Sequence, residues 1–305
     1  MISERQKIAK LTILGLGLMG GSLARALKAN NLVEHVCGWG RRSPSLERGL
    51  ELGVIDSWTL DLAEAVKDAT VVVICTPTLV AESVLRDLEP LLSGDTVLTD
   101  VASVKGNILS AAERVFGHLP ENFVLGHPIA GSEQSGVDAA RTDLFVDHRV
   151  ILTPLASNNP EAVALVNAMW QCAGAEVVEM DVAQHDAVLA ATSHLPHVLA
   201  YTLVDALAAE GAAADIFRFA AGGFRDFTRI ASSDPQMWHD IVLANKAAVL
   251  AGIDKFSQHL AMVRTAIADE QGEQILTIFD RAKTARDEHF LGQYMKPAKP
   301  SKSSD

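Results

Sequence analysis

The sequence has little positive charge. Its 305 residues include 26 Lys and Arg against 38 Asp and Glu, which gives a formal net charge of −12. Because nucleic acids and anionic membranes are bound by basic surfaces, this balance argues against both as partners. An anionic ligand would need a local cluster of arginines. The length allows one large or two ordinary domains with a sizeable core.

Cysteine is also scarce. Cys37, Cys75 and Cys172 lie far apart and lack the spacing of a metal site, a pattern typical of buried thiols in a reducing compartment. The amino terminus has no apolar core of the signal-peptide type, and no apolar run reaches the length that a membrane span requires. These absences predict a soluble, cytoplasmic protein.

Apolar runs alternate with helical segments over residues 1–180, which predicts an α/β dinucleotide-binding domain with a doubly wound parallel sheet. The run at residues 175–180 is expected to close this sheet. The predicted strands are residues 8–14, 35–39, 70–75, 96–101, 123–125, 149–153 and 175–180.

Helical spacing dominates residues 181–292, where strand signals stop. A long apolar helix over residues 241–267 is hard to bury within so few residues, so this helical domain is expected to form a homodimer. Residues 293–305 are rich in Pro, Lys and Ser and are predicted to be a disordered tail.

A glycine-rich turn follows the first predicted strand and leads into a predicted helix. In this context Gly15 allows a tight turn, Gly17 lets a pyrophosphate approach the backbone, and Gly20 lets helix and strand pack closely. The helix terminus also stabilises phosphate charge. The sequence therefore predicts that NAD or NADP binds at Gly15, Leu16, Gly17, Leu18, Met19 and Gly20.

An acidic residue is missing at the end of the second predicted strand, where domains that prefer NAD carry one for the ribose 2′-hydroxyl. Gly40, Arg41, Arg42 and Ser43 stand there instead. Two guanidinium groups favour a 2′-phosphate and hence NADP, although they could also be solvated or stack on the adenine of either cofactor. Thr76, which follows the strand at residues 70–75, is expected at the same edge of the sheet.

Residues 126–136 read G-H-P-I-A-G-S-E-Q-S-G and follow an apolar strand. They place an imidazole (His127), a hydroxyl (Ser132) and a carboxylate (Glu133) on a turn in which Gly131 permits a sharp bend. Such a group of side chains suits a reaction centre, but on its own it could also be an ordinary surface turn.

Two further stretches carry chemistry. His194 and His197 lie within one helical turn, next to Pro196, which is expected to distort the helix. They favour contact with a substrate or anion over metal binding, and a structural role stays open. Residues 222–231 place Arg225 and Arg229 after a Gly-Gly pair, which suits a carboxylate clamp or a network of arginines with Asp226 that caps helices.

Together these stretches resemble the prephenate/arogenate dehydrogenase family of tyrosine biosynthesis. The resemblance covers roughly residues 11–291 and depends on five motifs in the order of that family. They are G-L-G-L-M-G-G-S from Gly15, D-V-A-S-V-K-G from Asp100, G-H-P-I-A-G-S-E from Gly126, S-H-L-P-H from Ser193, and F-R-D-F-T-R-I-A from Phe224 followed by D-P-Q-M-W.

The resemblance implies a role for each matching residue. His127 takes the proton of the ring hydroxyl of the substrate, and Ser103 hydrogen-bonds near that hydroxyl and the nicotinamide. Arg229 holds a substrate carboxylate, His197 lies by the substrate side chain, and Glu133 gates the pocket. Ser132 and Gly222 are expected to line the same substrate site. No metal is implied.

The implied reaction is the oxidative decarboxylation of prephenate, of arogenate, or of both, with NAD or NADP as hydride acceptor. The residues do not distinguish between these two substrates. A β-hydroxyacid dehydrogenase is an alternative, but its catalytic lysine has no good counterpart, since the surroundings of Lys246 do not match. A non-catalytic dinucleotide sensor is a second alternative, although His127, Ser103 and Arg229 are all present.

Overall fold

The structure is a computed structural model that describes residues 7–291 except Glu133 and Ala212. Glu133 and the predicted tail at residues 293–305 therefore lie outside the described residues. The chain forms two compact units, of which the first ends at Val249 and the second begins at Leu250. The division into domains at residue 180 stays a prediction.

Six parallel strands form the first sheet. Their side chains are apolar and mostly buried because helices cover both faces of a parallel sheet. The order β3-β2-β1-β4-β5-β6 reverses direction between β1 and β4, where doubly wound sheets bind their ligands. The strands are β1 (Ile8–Leu14), β2 (Val33–Trp39), β3 (Ser57–Thr59), β4 (Val71–Ile74), β5 (Val97–Asp100) and β6 (Phe123–Val124).

Helices connect these strands and confirm the predicted fold class. Asp61 caps α3 (Leu62–Val66) and Asn159 caps α6 (Pro160–Cys172) by accepting backbone N–H groups of the first turn. Strand β3 was not predicted, because three residues before a helix carry little periodicity. The helices are α1 (Leu18–Ala29), α2 (Pro44–Glu51), α3 (Leu62–Val66), α4 (Ala81–Leu88), α5 (Lys105–Phe116) and α6 (Pro160–Cys172).

The strands after residue 125 form a second sheet, so the prediction that residues 175–180 close the first one is wrong. Strand β7 (Gly126–Pro128) pairs antiparallel with β8 (Arg149–Leu152), which pairs parallel with β9 (Glu176–Glu179). His127 therefore lies on a strand rather than on the glycine-rich turn that follows it. Apolar periodicity identifies a strand but not the sheet to which it belongs.

The remaining part of the first unit is helical, as predicted. A π-helical segment at Ala190–His194 joins α7 (Val182–Leu189) to α8 (Leu195–Ala208). It lies close to Pro196, whose missing N–H removes one helical hydrogen bond. The long helix predicted after Trp238 breaks at Asn245. The helices are α7 (Val182–Leu189), α8 (Leu195–Ala208), α9 (Ala213–Arg218), α10 (Gly222–Thr228) and α11 (Pro235–Ala244).

The second unit begins within α12 (Lys246–Ala268) and continues through α13 (Gly272–Ala285). Large apolar side chains of these helices are exposed, as expected of helices that pack against a second subunit. They are Leu250, Phe256, Leu260, Met262, Ile267, Leu276 and Phe279.

One helical stretch, Val182–Ala208, is long and apolar enough to cross a membrane by length and composition alone. The expectation that no apolar run reaches this length therefore needs correction. Its polar residues His185 and His194 are nevertheless buried among protein groups. Only 22% of its apolar window is buried in the protein, so burial covers these two histidines rather than the whole stretch.

Candidate active site

A buried ion pair fixes the loop between β5 and α5. Asp100 ends β5, Lys105 begins α5, and the ammonium of Lys105 donates to the carboxylate of Asp100 with both side chains fully buried. Lys105 Nζ also lies 2.5 Å from the carbonyl oxygen of Gly126, whose N–H donates to Asp100 Oδ1 at 3.1 Å. The pair therefore anchors the first residue of β7 at the carboxyl end of β5.

The absence of a side chain at Gly126 permits this contact. A Cβ there would lie 3.1 Å from the carbonyl oxygen of Asp100. Burial lowers the pKa of Lys105, and the attraction of Asp100 offsets only part of this effect. The next side chain along β7 is His127, which is thereby placed beside the start of α5.

His127 is almost completely buried, with 8% of its surface exposed. Its Nδ1 lies 2.9 Å from Nε2 of His185, on α7. Burial holds the pKa of His127 well below its ordinary value, and the nearby charge of Lys105 lowers it further. His127 is therefore a neutral imidazole at neutral pH, which is the form that can accept a proton.

Asp186 contacts the ring nitrogen of His185 that does not face His127. Its Oδ1 lies 2.8 Å from Nδ1 of His185, and its carboxylate accepts the N–H groups of Lys105 and Gly106, each at 2.8 Å. Burial alone would raise the pKa of Asp186, but these hydrogen bonds lower it overall, so it is ionised. The start of α5, which lacks an acidic residue in its first turn, also favours this negative charge.

A second group of predicted residues is built around Trp238, on α11. The ring of His197 stacks on Trp238 with centroids 3.4 Å apart, and its Nδ1 donates to the carbonyl oxygen of Ser193 at 2.9 Å. Trp238 also packs against Val104, which immediately follows Ser103. Trp238 therefore places His197 near the loop between β5 and α5, which contains Ser103 and anchors the strand that carries His127.

A cavity of about 300 Å³ opens beside this stack. It is lined by His197, Tyr201, Trp238, Val242 and other mainly apolar residues. Burial lowers the pKa of His197, and the positive charge of Arg229 contributes to this effect. The cavity is thus mostly apolar, with a neutral imidazole at its wall and a guanidinium nearby.

The other predicted substrate residues are less enclosed. Arg229 is exposed on a short 3₁₀ turn after α10, and Gly222 is exposed in the first turn of α10. Arg225 is exposed and pairs with the neighbouring Asp226 at 3.4 Å. Ser132 is exposed and its Oγ accepts the N–H of Gln134 at 3.0 Å. No described contact joins Ser132 or Gly222 to His127.

The glycine turn has the geometry that a dinucleotide requires. Gly15 has φ of +96°, and a Cβ there would lie 3.0 Å from the backbone of Cys75, whereas a Cβ at Gly20 would lie 2.5 Å from Ile13 Cγ2. Gly17 has open space in front of it, at the beginning of α1. The hydroxyl of Thr76 is buried without a hydrogen-bond partner in the described structure. An open helix terminus and an orphaned hydroxyl at one edge fit a bound pyrophosphate.

The residues that follow β2 are accessible to a ligand. Arg41 and Arg42 are exposed, and Arg41 Nη2 lies 3.5 Å from Ser83 Oγ. Ser43 caps α2, since its carbonyl oxygen accepts the N–H groups of Leu46 and Glu47 at 2.8 Å. The guanidinium groups of Arg41 and Arg42 are therefore accessible to a phosphate bound beyond the end of β2.

Among the described residues, no group of three or more His, Cys, Asp or Glu side chains is arranged to hold a metal ion. A second cavity, of about 660 Å³, lies near the starts of β5 and β6 and includes Thr96, His118 and Asn122. It contains none of the predicted site residues and lies at the amino ends of the strands, opposite the glycine turn.

Three parts of this arrangement were not predicted: the Asp100–Lys105 ion pair, the contact of His185 with His127, and the helix-capping role of Asp186. Asp100 and Lys105 belong to a motif that was recognised only as a resemblance. The consecutive His185 and Asp186, in a helix that is otherwise apolar, were a signal, but no spacing rule links them to a strand 58 residues earlier.

Comparison with known proteins identifies the family. A family model described as prephenate dehydrogenase, nucleotide-binding domain, matches residues 23–179. A second model, described as prephenate dehydrogenase, dimerization domain, matches residues 181–281. The chain belongs to the prephenate dehydrogenase family.

Prephenate dehydrogenases are similar to this chain over most of its length. A cyclohexadienyl dehydrogenase of Zymomonas mobilis is 37% identical over 279 residues, which cover 90% of this chain and 94% of that protein. A prephenate dehydrogenase of Bacillus subtilis is 38% identical over 284 residues, which cover 91% and 75%. These similarities confirm the predicted resemblance.

A solved structure shares the fold. The crystal structure of prephenate dehydrogenase from Aquifex aeolicus, in complex with hydroxyphenyl propionate and NAD+, has a TM-score of 0.86 and 35% identity. The match covers 92% of this chain and 98% of that chain. The alternative of a β-hydroxyacid dehydrogenase is therefore not retained, and Lys246, at the start of α12, belongs to neither group of site residues.

Proposed function

We propose that this member of the prephenate dehydrogenase family catalyses the oxidative decarboxylation of prephenate to 4-hydroxyphenylpyruvate, of arogenate to tyrosine, or of both, in tyrosine biosynthesis. The observation that carries the proposal is a buried, neutral imidazole, His127, at the edge of the sheet where the glycine turn and Thr76 also lie. The relatives named above support it, as does the Aquifex structure, which contains NAD+ and a hydroxyphenyl compound.

The mechanism assigns one task to each group. A bound nicotinamide supplies the hydride acceptor. Neutral His127 takes the proton of the ring hydroxyl while the ring loses hydride and CO2, and aromatisation makes the reaction effectively irreversible. A positioned general base contributes roughly 10²–10⁴ in rate. Ser103, in the loop before Lys105, is proposed to hydrogen-bond the same hydroxyl.

The substrate is proposed to bind between this loop and the His197–Trp238 stack. A mostly apolar cavity suits the ring and side chain, and Arg229 supplies a charged donor for a carboxylate. Ser132, Glu133 and Gly222 are proposed to complete the substrate site. Arogenate differs from prephenate in carrying an amino group in place of the keto group, and both are retained as candidate substrates.

The cofactor is proposed to lie across Gly15–Gly20 and Thr76, with its adenine ribose near Arg41 and Arg42. A dinucleotide cofactor of the NAD type is supported by the matched family. Within that class we propose a preference for NADP, because two exposed guanidinium groups stand where a 2′-phosphate would lie.

The assembly is proposed to be a cytoplasmic homodimer. The family model that matches residues 181–281 describes a dimerization domain, and α12 and α13 expose the large apolar side chains that a partner subunit would cover. Binding of nucleic acid is not proposed, given the net charge of −12.

Steady-state kinetics of the purified protein with prephenate and with arogenate, each with NAD and with NADP, tests these proposals. We expect turnover of at least one substrate and a larger kcat/KM with NADP. No turnover in any of the four combinations would contradict the proposed activity, and a strong preference for NAD would contradict only the cofactor assignment.

A further inference from the structure

A continuous line of hydrogen bonds runs from the start of α5 to the catalytic edge of β7. The backbone N–H groups of Lys105 and Gly106 donate to Asp186, Asp186 contacts Nδ1 of His185 at 2.8 Å, and Nε2 of His185 contacts Nδ1 of His127 at 2.9 Å. His185 is completely buried, and Asp186 is largely buried, with 15% of its side chain exposed. These contacts require particular positions for the protons.

The proton positions follow from what each atom can donate. Ionised Asp186 can only accept, so Nδ1 of His185 carries a proton and donates it. A relay requires an unprotonated Nε2 on His185, which accepts the hydrogen bond that Nδ1–H of His127 donates at 2.9 Å. Nε2 of His127 is therefore left unprotonated, with its lone pair available.

We infer that His185 and Asp186 form a proton relay behind His127 in the proposed reaction. As Nε2 of His127 accepts the hydroxyl proton of the substrate, the proton on Nδ1 of His127 moves to Nε2 of His185. His127 stays neutral with its proton on the other nitrogen, and His185 becomes an imidazolium that donates to Asp186. One proton enters the line, none leaves it, and no further reactant is needed.

The charges around His127 favour this transfer. A positive charge on His127 would be buried and would be repelled by the ammonium of Lys105, on α5. Asp100 is already paired with that ammonium. His194, in the π-helical segment, also disfavours a positive charge on His127. A positive charge on His185 instead lies against Asp186, at the positive end of the α5 dipole that holds that carboxylate. The relay thus moves the charge from a repulsive to an attractive environment.

The relay also explains a feature of the sequence. A Cβ at Gly106 would lie 2.7 Å from Asp186 Oδ2, so a larger residue at this position would force the carboxylate to shift. Asn245, at the end of α11, donates to the backbone carbonyl oxygen of Asp186 at 2.8 Å and contacts Nδ1 of His194 at 3.2 Å. No described hydrogen bond joins it to His127 or to the Asp186 carboxylate, so it offers a buried control outside the relay.

Two substitutions of His185 separate a relay from simple support. In His185→Gln, the amide oxygen can still accept from Nδ1–H of His127 but cannot take the proton; in His185→Leu, both properties are lost. The relay rests on the proposed function, so turnover of prephenate or arogenate by the wild-type enzyme is measured first. We then expect His185→Gln to lower kcat about 10²-fold with little change in KM, because His127 alone is a weaker base.

The pH profile is the decisive readout. Without His185 to take the charge, His127 must hold it beside Lys105, so we expect the acid limb of kcat against pH to move about one unit lower in His185→Gln. His185→Leu is expected to lose about tenfold more activity, since the orientation of His127 is lost as well. Asn245→Ala is expected to keep the wild-type limb even if its unfolding temperature falls.

Several results would overturn the relay. The first is a His185→Gln enzyme in which kcat and the acid limb of its pH profile are those of the wild type. The second is an equal loss of kcat in both His185 variants with an unshifted acid limb, which would show that His185 only holds His127 in position. Should the variants not fold, ¹⁵N NMR of histidine-labelled wild-type protein gives an independent test. Protonated Nδ1 and unprotonated Nε2 on His127 support the relay, and the opposite tautomer contradicts it. Absence of wild-type turnover would instead refute the proposed function.

Discussion

Gly106 packs so closely against Asp186 that a methyl group on Gly106 would displace the carboxylate. A Cβ at this position would be 2.7 Å from Asp186 Oδ2. We therefore expect Gly106→Ala to break hydrogen bonds between Asp186 and the start of α5, and to lower the free energy of unfolding by about 1–3 kcal/mol. Urea unfolding, combined with kcat, measures both consequences.

Gly94→Ala is the matched control for this prediction, because a Cβ at Gly94 meets no atom within 4 Å. It should leave stability and kcat close to the wild-type values. If both variants had the same stability and kcat, the hydrogen bonds between Asp186 and the start of α5 would contribute to neither.

His127→Asn tests the general base. Asparagine keeps a polar side chain but cannot accept the hydroxyl proton, so kcat should fall about 10²–10⁴-fold. The affinity for the cofactor, measured by fluorescence titration, should change little, because the glycine turn is untouched. His118→Asn, at an exposed position, serves as control. Wild-type-like kcat in His127→Asn would remove this residue from the mechanism.

Arg229→Ala tests the carboxylate clamp. Loss of a charged hydrogen bond costs roughly 1.5–3 kcal/mol, which corresponds to an increase in KM of about 10- to 150-fold with a smaller effect on kcat. Arg225→Ala is the control, since Arg225 pairs with Asp226 on the exposed side of α10. The hypothesis fails if both variants raise KM equally, or if neither does.

Much of this molecule follows from local patterns in the sequence. The apolar runs of β1 and β4, followed by Gly15 and Thr76, predicted a doubly wound sheet and a dinucleotide site, because period and glycine position act over a few residues. The helical second half followed from the loss of strand signals after Met180. The motifs around His127 and Arg229 predicted the family.

The rest depends on contacts between distant segments. Nothing in the spacing indicates that β7 leaves the first sheet, since that step depends on Gly126 meeting the Asp100–Lys105 pair. The line from His127 to His185 joins a strand to a helix that follows two further strands. Such contacts are set by tertiary packing, and a sequence pattern alone does not contain them.

The two arginines after β2 should determine the choice of cofactor. If Arg41 and Arg42 contact a 2′-phosphate, replacement of either by Ala should lower kcat/KM for NADP by about tenfold or more, with little effect on NAD. Parallel assays with both cofactors measure this ratio. An equal decrease for NAD and NADP would indicate contact with a part that both cofactors share, such as the adenine.

Buried neutral histidines should make the fold sensitive to mild acid. Burial lowers the pKa of His194 from 6.5 to about 4, and it lowers the pKa of His127 as well. Below pH 6.5 the unfolded chain binds protons that the folded chain does not, so stability is lost as pH falls from about 6.5 towards 4. For His194 this amounts to about 3 kcal/mol over the full range, at 1.36 kcal/mol for each pKa unit.

Urea unfolding at a series of pH values between 7 and about 5, above the range in which most carboxylates titrate, measures this slope. His194→Gln should flatten it, because glutamine keeps a polar group near Asn245 and takes up no proton in either state. His118→Gln, at an exposed position, should retain the wild-type slope. If His194→Gln and the wild type lose stability in parallel as pH falls, then His194 is not held neutral by the fold, and the acid sensitivity must arise elsewhere.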